Sequence, residues 1–554
     1  MKTLFNSISR SEWRFVGVLV LVMIVLTGLP YLYAWLTAPA NTVYDGLHAL
    51  SPGDVPVYYS YINQVKQGQF FLKDLFTSEP QDLGTFNVWW AGVGLLAKFF
   101  NLSVIVAFQL ARILLIPVFM VVAYLFISYF FIKVNQRKSA LIFLLFSGGL
   151  GFYVAGALDQ VDFSGAVSYW LPIDLWLTEA ITFNALYHSA HFIASLILMM
   201  SVFLFMLLGF EQRKFRYVLI SGSLTFFYLN FHPYYLPVIL GVSGLCLLLL
   251  IIQARRILWW AAGYWLTLIL FSLPATFYHF WLIINSPVIY QRAVQNVTLI
   301  SPFIFVAIGY GFLIPGLFLG LYFLIKKKRL DNRFRFLLIW LVVDLVLIYS
   351  PFPFHSRYTQ GLHLILAFFT VAGLFGLKDY LQAKWSARKF DFWVNNPALL
   401  TLLFIMMFAP SNLYSLARDF YNYTYKTGET PIILYLSNDL MTAFSWLEQQ
   451  PSGRVILAAD VPSKFIPGFS GQTVYLAHAH ETLFYFSKLE YLKWFYGAEG
   501  SDENKKRFLK KAGIDYVFYT NYEKQLGNYK PSTQDYLTLV FTSPQAEIYQ
   551  VKAD

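Results

Sequence analysis

Apolar runs of about 20 residues, each closed by a polar turn, fill most of the first 415 positions. Runs of that length suit helices that cross a bilayer. They predict helices over roughly 14–36, 103–132, 139–157, 189–210, 217–231, 233–252, 257–282, 300–325, 334–350, 360–377 and 396–415. The turns are of two kinds. Basic ones read KVNQRK, EQRKFR, QARR, KKKRLDNRFR and KDYLQAKWSARK, and Lys2, Arg10 and Arg14 precede the first run. The others, 37–85, 158–188, His232-Pro233, 283–299 and 351–359, are poor in Lys and Arg. The two kinds alternate once FNVWWAGVGLLAKFF, 86–100, is set aside, so that stretch is expected to be a short interfacial or re-entrant helix. Eleven spans follow, with the basic turns and the N-terminus cytoplasmic and the C-terminal region outside.

Composition agrees with this pattern. Hydrophobic residues make up 58% of the chain and charged ones 13%, which leaves too little charge for the surface of a soluble protein of this size. The first apolar run is too long for a signal-peptide core and lacks a small-residue cleavage pattern, so it is expected to be a retained anchor. The single cysteine, Cys246, offers neither a disulfide framework nor a cysteine metal site. The net charge of +11 sits largely in the basic turns, which argues for membrane topology and against nucleic acid.

The chemistry gathers in the non-basic turns. They carry Asp45, Asp54, Asp74, Glu79, Asp82, Asp159, Asp162, Asp174 and Glu179, with His48, His188, His191, His232, His355, Arg292 and Arg357, among many aromatic residues. Acids and histidines set among aromatics at a membrane surface suggest a concave site. In DVPVYYSYINQVKQG, Tyr58, Tyr61, Ile62 and Val65 recur at helical spacing opposite Asn63, Lys66 and Gln67, which predicts an amphipathic interfacial helix ended by Gly68. Asp54 stands at its start. Helix capping and direct chemistry are both open to it there. His188 and His191, three apart, would share a helix face near Asp174 and Glu179. The pair is open to a metal or to hydrogen bonding, and without a third ligand no metal or cofactor is called for. Arg112 and Asp344 lie within predicted spans, where charge faces a cavity or a partner. Arg112 could pair with a first-loop acid or meet a substrate. Arg357, preceded by Pro351 and Pro353, could ligate a lipid phosphate with its fork of donors.

These residues resemble the GT-C superfamily of membrane glycosyltransferases, such as protein O-mannosyltransferases and the transferases that add aminoarabinose to lipid A. The likeness lies in one helix, a long acidic outer loop, many further helices and an outer domain. It lies also in Asp54, Tyr58, Gly68, Glu79-Pro80 and Trp89-Trp90 of the first loop. The resemblance implies a polytopic α-helical fold. It implies sugar transfer from a polyprenyl-phosphate-linked donor to a lipid, glycan or protein acceptor outside the cell membrane, with inversion. Asp54 would act on the acceptor, with Tyr58 beside it. Glu79, Asp174 and Glu179 would orient substrate, and Arg357, His188, His191, His232 and Arg112 would serve substrate or phosphate. The chain reads SEPQDLG where the family has a lysine after the glutamate, so that phosphate contact is missing.

The transmembrane part is placed at 1–415, with the first outer loop at 37–102, and an extracytoplasmic α/β domain at 416–554. GRVILAAD, QTVYLAHA and GIDYVFYT read as strands, SDENKKRFLKKAG as a capped helix, and YLTLVFTSPQAEIYQV as a hairpin. In AHAHET, His478 and His480 would share a strand face, with packing or acceptor recognition the leading roles. Two rival readings are a transporter or lipid flippase, which would show broken helices and repeated halves, and a non-catalytic anchor for the outer domain.

Overall fold

The computed structural model describes residues 2–48, 50, 53–156, 170–384, 397–425 and 433–552. Asp159 and Asp162 lie outside them. Among the described residues seven helices are long and apolar enough to cross a membrane: Arg10–Leu36, Val104–Phe130, Val134–Ala155, Ala190–Gln212, Pro233–Ala254, Trp259–Asn285 and Ser356–Lys384. Two bent pairs bring the number to as many as nine: Phe303–Tyr310 with Leu313–Lys326, at 74°, and Leu399–Phe408 with Pro410–Tyr425, at 69°. The other two of the eleven expected runs are the helices Phe215–Phe231 and Asn332–Ile348, 17 residues each. At ~1.5 Å per residue each is about 26 Å long, short of a ~30 Å hydrocarbon core. The chain is a multi-pass membrane protein. Val88–Phe99, from the stretch set aside above, is a 12-residue helix capped by Asn87 and is too short to cross.

The chain divides into two compact units. The first comprises Met1–Pro30, Arg112–Phe277 and Thr298–Phe420. Its helices Leu313–Lys326 and Leu362–Lys384 pack at close range because small residues face each other. A β-carbon on Gly320 would strike the Phe369 carbonyl, and one on Gly373 would meet the Gly320 nitrogen at 2.7 Å. Three runs expected to be continuous are broken instead. The first stops at Phe146 and resumes at Gly151, the second turns at Gly311 with φ +50°, and the third turns between Phe408 and Pro410. Their freed backbone groups serve one another. Gly148 N–H donates to Phe408 O at 2.6 Å, Leu150 N–H to Ile308 O at 2.8 Å, and Phe152 N–H to Ser411 Oγ at 3.1 Å. Gly148-Gly149 and Gly311 permit these approaches, and mutual bonding makes the breaks tolerable away from water.

The second unit comprises Tyr31–Ala111, Tyr278–Val297 and Tyr421–Asp554. Its sheet runs Thr473–Val474, Val455–Leu457, Tyr516–Thr520, Ala546–Val551, Leu537–Thr542, with the first three strands parallel and the last two joined as an antiparallel hairpin. The expected helix is Asp502–Lys511, capped by Ser501 and followed by Gly513 at φ +65°. First-loop residues belong to this unit's core. Strand Thr42–Tyr44 pairs with Tyr435–Ser437, and helix Asp54–Lys66 packs between Val88–Phe99 and Asp460–Ser470. Gly94 and Gly468 make room: a β-carbon on Gly94 would overlap Val65, and one on Gly468 would come within 2.8 Å of Tyr59 Cβ.

The helix Asp54–Lys66 therefore differs from the interfacial one expected. Tyr59, Ile62 and Val65 are fully buried, and so, nearly, are Gln64 and Asn63, the latter on the face expected to be polar, where Lys66 is half-buried and Gln67 exposed. Gln64 earns its burial with bonds to Ser60 Oγ, Lys73 O and Lys73 N–H. Each buried apolar side chain contributes about 1.5–3 kcal/mol. Gly68, at φ +98°, ends the helix as expected.

Candidate functional site

In the second unit, Asp54 occupies the first position of its helix and Gly53 the cap. Its carboxylate is in part open to solvent and lies 3.5 Å from His478 Nε2. A small groove lies alongside, lined by Leu47, Gly53, Pro56, Val461, Lys464 and Phe465 among others. Tyr58 stacks on Trp90 at 4.8 Å between ring centres and on Phe108 at 6.1 Å. AHAHET is not a strand: the strand ends at Val474, and His478 and His480 sit in a loop with ring centres 5.8 Å apart. Burial pulls the His478 imidazole down, but Asp54 and Glu481 beside it leave its pKa raised overall.

Arg292 stands between three first-loop and C-terminal groups. Its guanidinium is 3.2 Å from Glu481, 3.9 Å from Asp74 and 3.5 Å from Tyr61 Oη. Burial, and then Glu481, push the Asp74 carboxyl up to about 7, with Arg292 only partly opposing them. The shift and the ion pair point in opposite directions. The distances reconcile them, since the guanidinium sits closer to Glu481 and gives Asp74 the smaller share. Glu79 accepts from Thr77 Oγ and from Lys488 Nζ, the latter at 2.8 Å. Lys488 also donates to Thr77 Oγ at 3.2 Å and Ser78 Oγ at 3.3 Å and lies over the Tyr475 ring. Glu79, which has no lysine after it in sequence, thus pairs with one from position 488. Burial holds the Lys488 ammonium below its usual pKa despite the Glu79 pair.

In the first unit, Arg357 lies in the turn Ser356–Thr359 ahead of Leu362–Lys384. Its Nη1 donates to Glu179 Oε1 at 2.8 Å, and the guanidinium lies over the Phe192 ring at 5.4 Å. Glu179 is nearly fully buried, so the pair is well sheltered. His191 and His232 stand edge to face with ring centres 5.6 Å apart. His232 Nδ1 is 3.0 Å from Ser195 Oγ, and Ser195 donates onward to Gln360 Oε1 at 2.8 Å. Burial, His191 and Arg357 keep His232 well below its usual pKa, hence neutral.

His188 and His191 do not share a helix face. His188 ends the helix Thr182–His188, Ser189 is extended at φ −142°, and His191 belongs to the next helix. The His188 ring is buried beside Tyr187, at 4.0 Å. Asp174 is fully buried and accepts from Gly151 N–H at 3.0 Å, at the start of the short helix after the first break. Burial pushes its carboxyl up to about 7. Arg112 is buried with Nη1 donating to Thr27 Oγ at 3.0 Å and Leu186 O at 3.3 Å. Asp344 is buried within Asn332–Ile348.

Among the described residues no three His, Cys, Asp or Glu side chains stand together as metal ligands. Arg292, Asp74 and Glu79 stand out in sequence by their charge, but their meeting with one another, with Glu481 and with Lys488 does not, because the partners lie far apart in the chain.

No protein-family model and no curated protein matches the sequence. Solved structures do match. The apo crystal structure of the Archaeoglobus fulgidus oligosaccharyltransferase overlays with a TM-score of 0.54 at 12% identity, over 92% of this chain and 69% of that one. The same archaeal enzyme, AglB, in complex with an inhibitory peptide and a dolichol-phosphate gives 0.51 at 11% identity, over 92% and 70%. The arabinofuranosyltransferase AftD from Mycobacteria gives 0.48 at 12% identity, over 98% and 42%. At such identities the likeness is one of fold alone: the chain has a fold similar to that of the archaeal oligosaccharyltransferase.

Proposed function

We propose that the chain is a membrane glycosyltransferase that moves a sugar from a polyprenyl-phosphate-linked donor to an acceptor hydroxyl on the non-cytoplasmic side. The observation that carries this reading is the overlay of nearly the whole chain on an oligosaccharyltransferase, one structure of which binds a dolichol-phosphate. Asp54, part-exposed beside a groove, supports it from the residue side.

In the reaction the acceptor oxygen forms a bond to the anomeric carbon as the bond from that carbon to the phosphate oxygen breaks. The polyprenyl phosphate leaves with the electron pair, and the hydroxyl proton passes to a carboxylate. A phosphate already leaves well, so the demands on the protein are a base and cations for the developing charge. Asp54 is assigned the base, with Tyr58 beside it, and Glu79 orients substrate in the same unit. In the first unit Arg357 is assigned the lipid phosphate, since a guanidinium carries five donors in a fork. Glu179, His191 and His232 hold the surroundings of that arginine. Asp174, His188 and Arg112 support the frame.

The transporter reading gains the two bent spans. In a transporter, however, broken ends line a substrate cavity, and here the break at 147–150 bonds to the two others. Purified protein with a panel of synthetic polyprenyl-phosphate-linked hexoses and pentoses, and a cell-envelope extract of lipids and glycans as the source of acceptor hydroxyls, separates the two. Release of polyprenyl phosphate supports transfer, and movement of intact donor across vesicles without release supports transport. Asp54→Asn is expected to lower release at least about 100-fold. Full activity in that variant would remove Asp54 from the base role.

A further inference from the structure

The segment Ala477–Leu483, AHAHETL, follows a strand of the C-terminal sheet but spends its polar groups on the first loop. Thr482 Oγ donates to Phe76 O at 2.7 Å, Leu483 N–H donates to Thr77 Oγ at 3.1 Å, and Glu481 lies 3.2 Å from Arg292. Around His478 the backbone is tightly held. Ala477 and His478 N–H both donate to Thr482 Oγ, at 3.0 and 3.2 Å. Gln295 Nε2 donates to the carbonyls of His480 and Thr482, at 3.0 and 3.1 Å.

The imidazole is oriented as well as placed. His480 N–H donates to His478 Nδ1 at 3.3 Å, so Nδ1 is the acceptor and the ring proton of the neutral form sits on Nε2. That nitrogen faces Asp54 Oδ1 at 3.5 Å. Gly53 allows the approach, because a β-carbon there would press on Nε2 at 3.2 Å. The histidine side chain is 11% exposed and the Asp54 side chain 43%, so the orienting group is buried and the carboxylate opens outward.

We propose that His478 is a positioning residue for Asp54: its Nε2–H holds Oδ1 and so sets the direction in which the part-exposed carboxylate meets an acceptor hydroxyl. The inference rests on the base role assigned to Asp54 above. A base held by a third group is a recurrent arrangement in proton transfer, and a misplacement of about 1 Å can cost on the order of 100-fold in rate.

The test uses the full-length protein in detergent, the donor of the hexose and pentose panel that wild type consumes, the same cell-envelope extract as acceptor, and release of polyprenyl phosphate as readout. His478→Met keeps the bulk but has no donor, and His478→Gln keeps a donor of similar reach. Both preserve packing, and gel filtration checks their folding. His478→Met is expected to lower kcat about 100-fold with KM for the donor unchanged, His478→Gln to restore most of it, and His478→Met with Asp54→Asn to be no slower than Asp54→Asn alone. Wild-type rates in His478→Met, with Asp54→Asn inactive, would overturn this inference and spare the base role. Equal loss in both His478 variants would also overturn it. Wild-type rates in Asp54→Asn would overturn the base role and this inference together, and a wild type that consumes no donor would overturn the proposed function with both.

Discussion

Arg292 faces two carboxylates, Glu481 at 3.2 Å and Asp74 at 3.9 Å, and one guanidinium cannot fully serve both. Asp74, buried and second in line, is pushed up to about 7 from an ordinary carboxylate value near 3.8. The folded protein therefore binds a proton there that the unfolded chain releases. The resulting stability is fully present below about pH 4 and is lost as pH rises through about 7. Thermal melts in detergent should show this part of the stability falling between about pH 4 and about pH 7. Asp74→Asn should flatten the slope and melt above wild type at pH 8. Parallel slopes in the two proteins would show that Asp74 is ionised throughout. Asp54 differs in exposure: its carboxylate opens outward, which is why the two first-loop aspartates receive different roles despite similar surroundings in sequence.

At the scale of elements, boundaries decided more than periodicity did. The His188 and His191 spacing fits one helix face, yet Ser189 is extended and the two rings belong to different helices. Apolar periodicity continues through such a break, so nothing in the pattern announces it. The same holds for the runs broken at 147–150, at Gly311 and before Pro410, where glycine or proline was present but the partner groups were not visible. Close helix packing is likewise a matter of what stands opposite. Gly320 has no space for a side chain because the Phe369 carbonyl occupies it. Gly320→Ala should destabilise the first unit by about 1–3 kcal/mol, read as a lower melting temperature. An unchanged melting temperature would mean the two helices part readily.

At the scale of the whole molecule, the first loop and the C-terminal segment fold as one unit. Strand Thr42–Tyr44 pairs with Tyr435–Ser437, and Asp460–Ser470 covers helix Asp54–Lys66. Removing residues 426–554 should therefore uncover Tyr59, which is fully buried in the intact chain with Gly468 and Phe469 against it. Chymotrypsin is expected to cut after Tyr59 in the shortened protein and to spare that bond in the full-length one. Resistance in the shortened protein would show that the loop folds without its cover.

The membrane class, the approximate runs, the strands and capped helix after 450, and the crowding of acids and histidines into the non-basic turns were all legible in sequence. Each follows from local chemistry: apolar length, charge in turns, caps and turn residues act within a few positions. Asp54 at a helix start and Gly68 at its end were legible for the same reason. Tertiary structure alone decided which charges meet. Lys488 reaching Glu79, His478 reaching Asp54 and Arg292 shared by Asp74 and Glu481 join positions far apart in the chain, and no local pattern encodes such pairings. It also decided that Asn63 and Gln64 of helix Asp54–Lys66 are buried while Gln67 after it stays exposed, because amphipathicity shows where polar groups lie on a helix but not whether water or protein satisfies them.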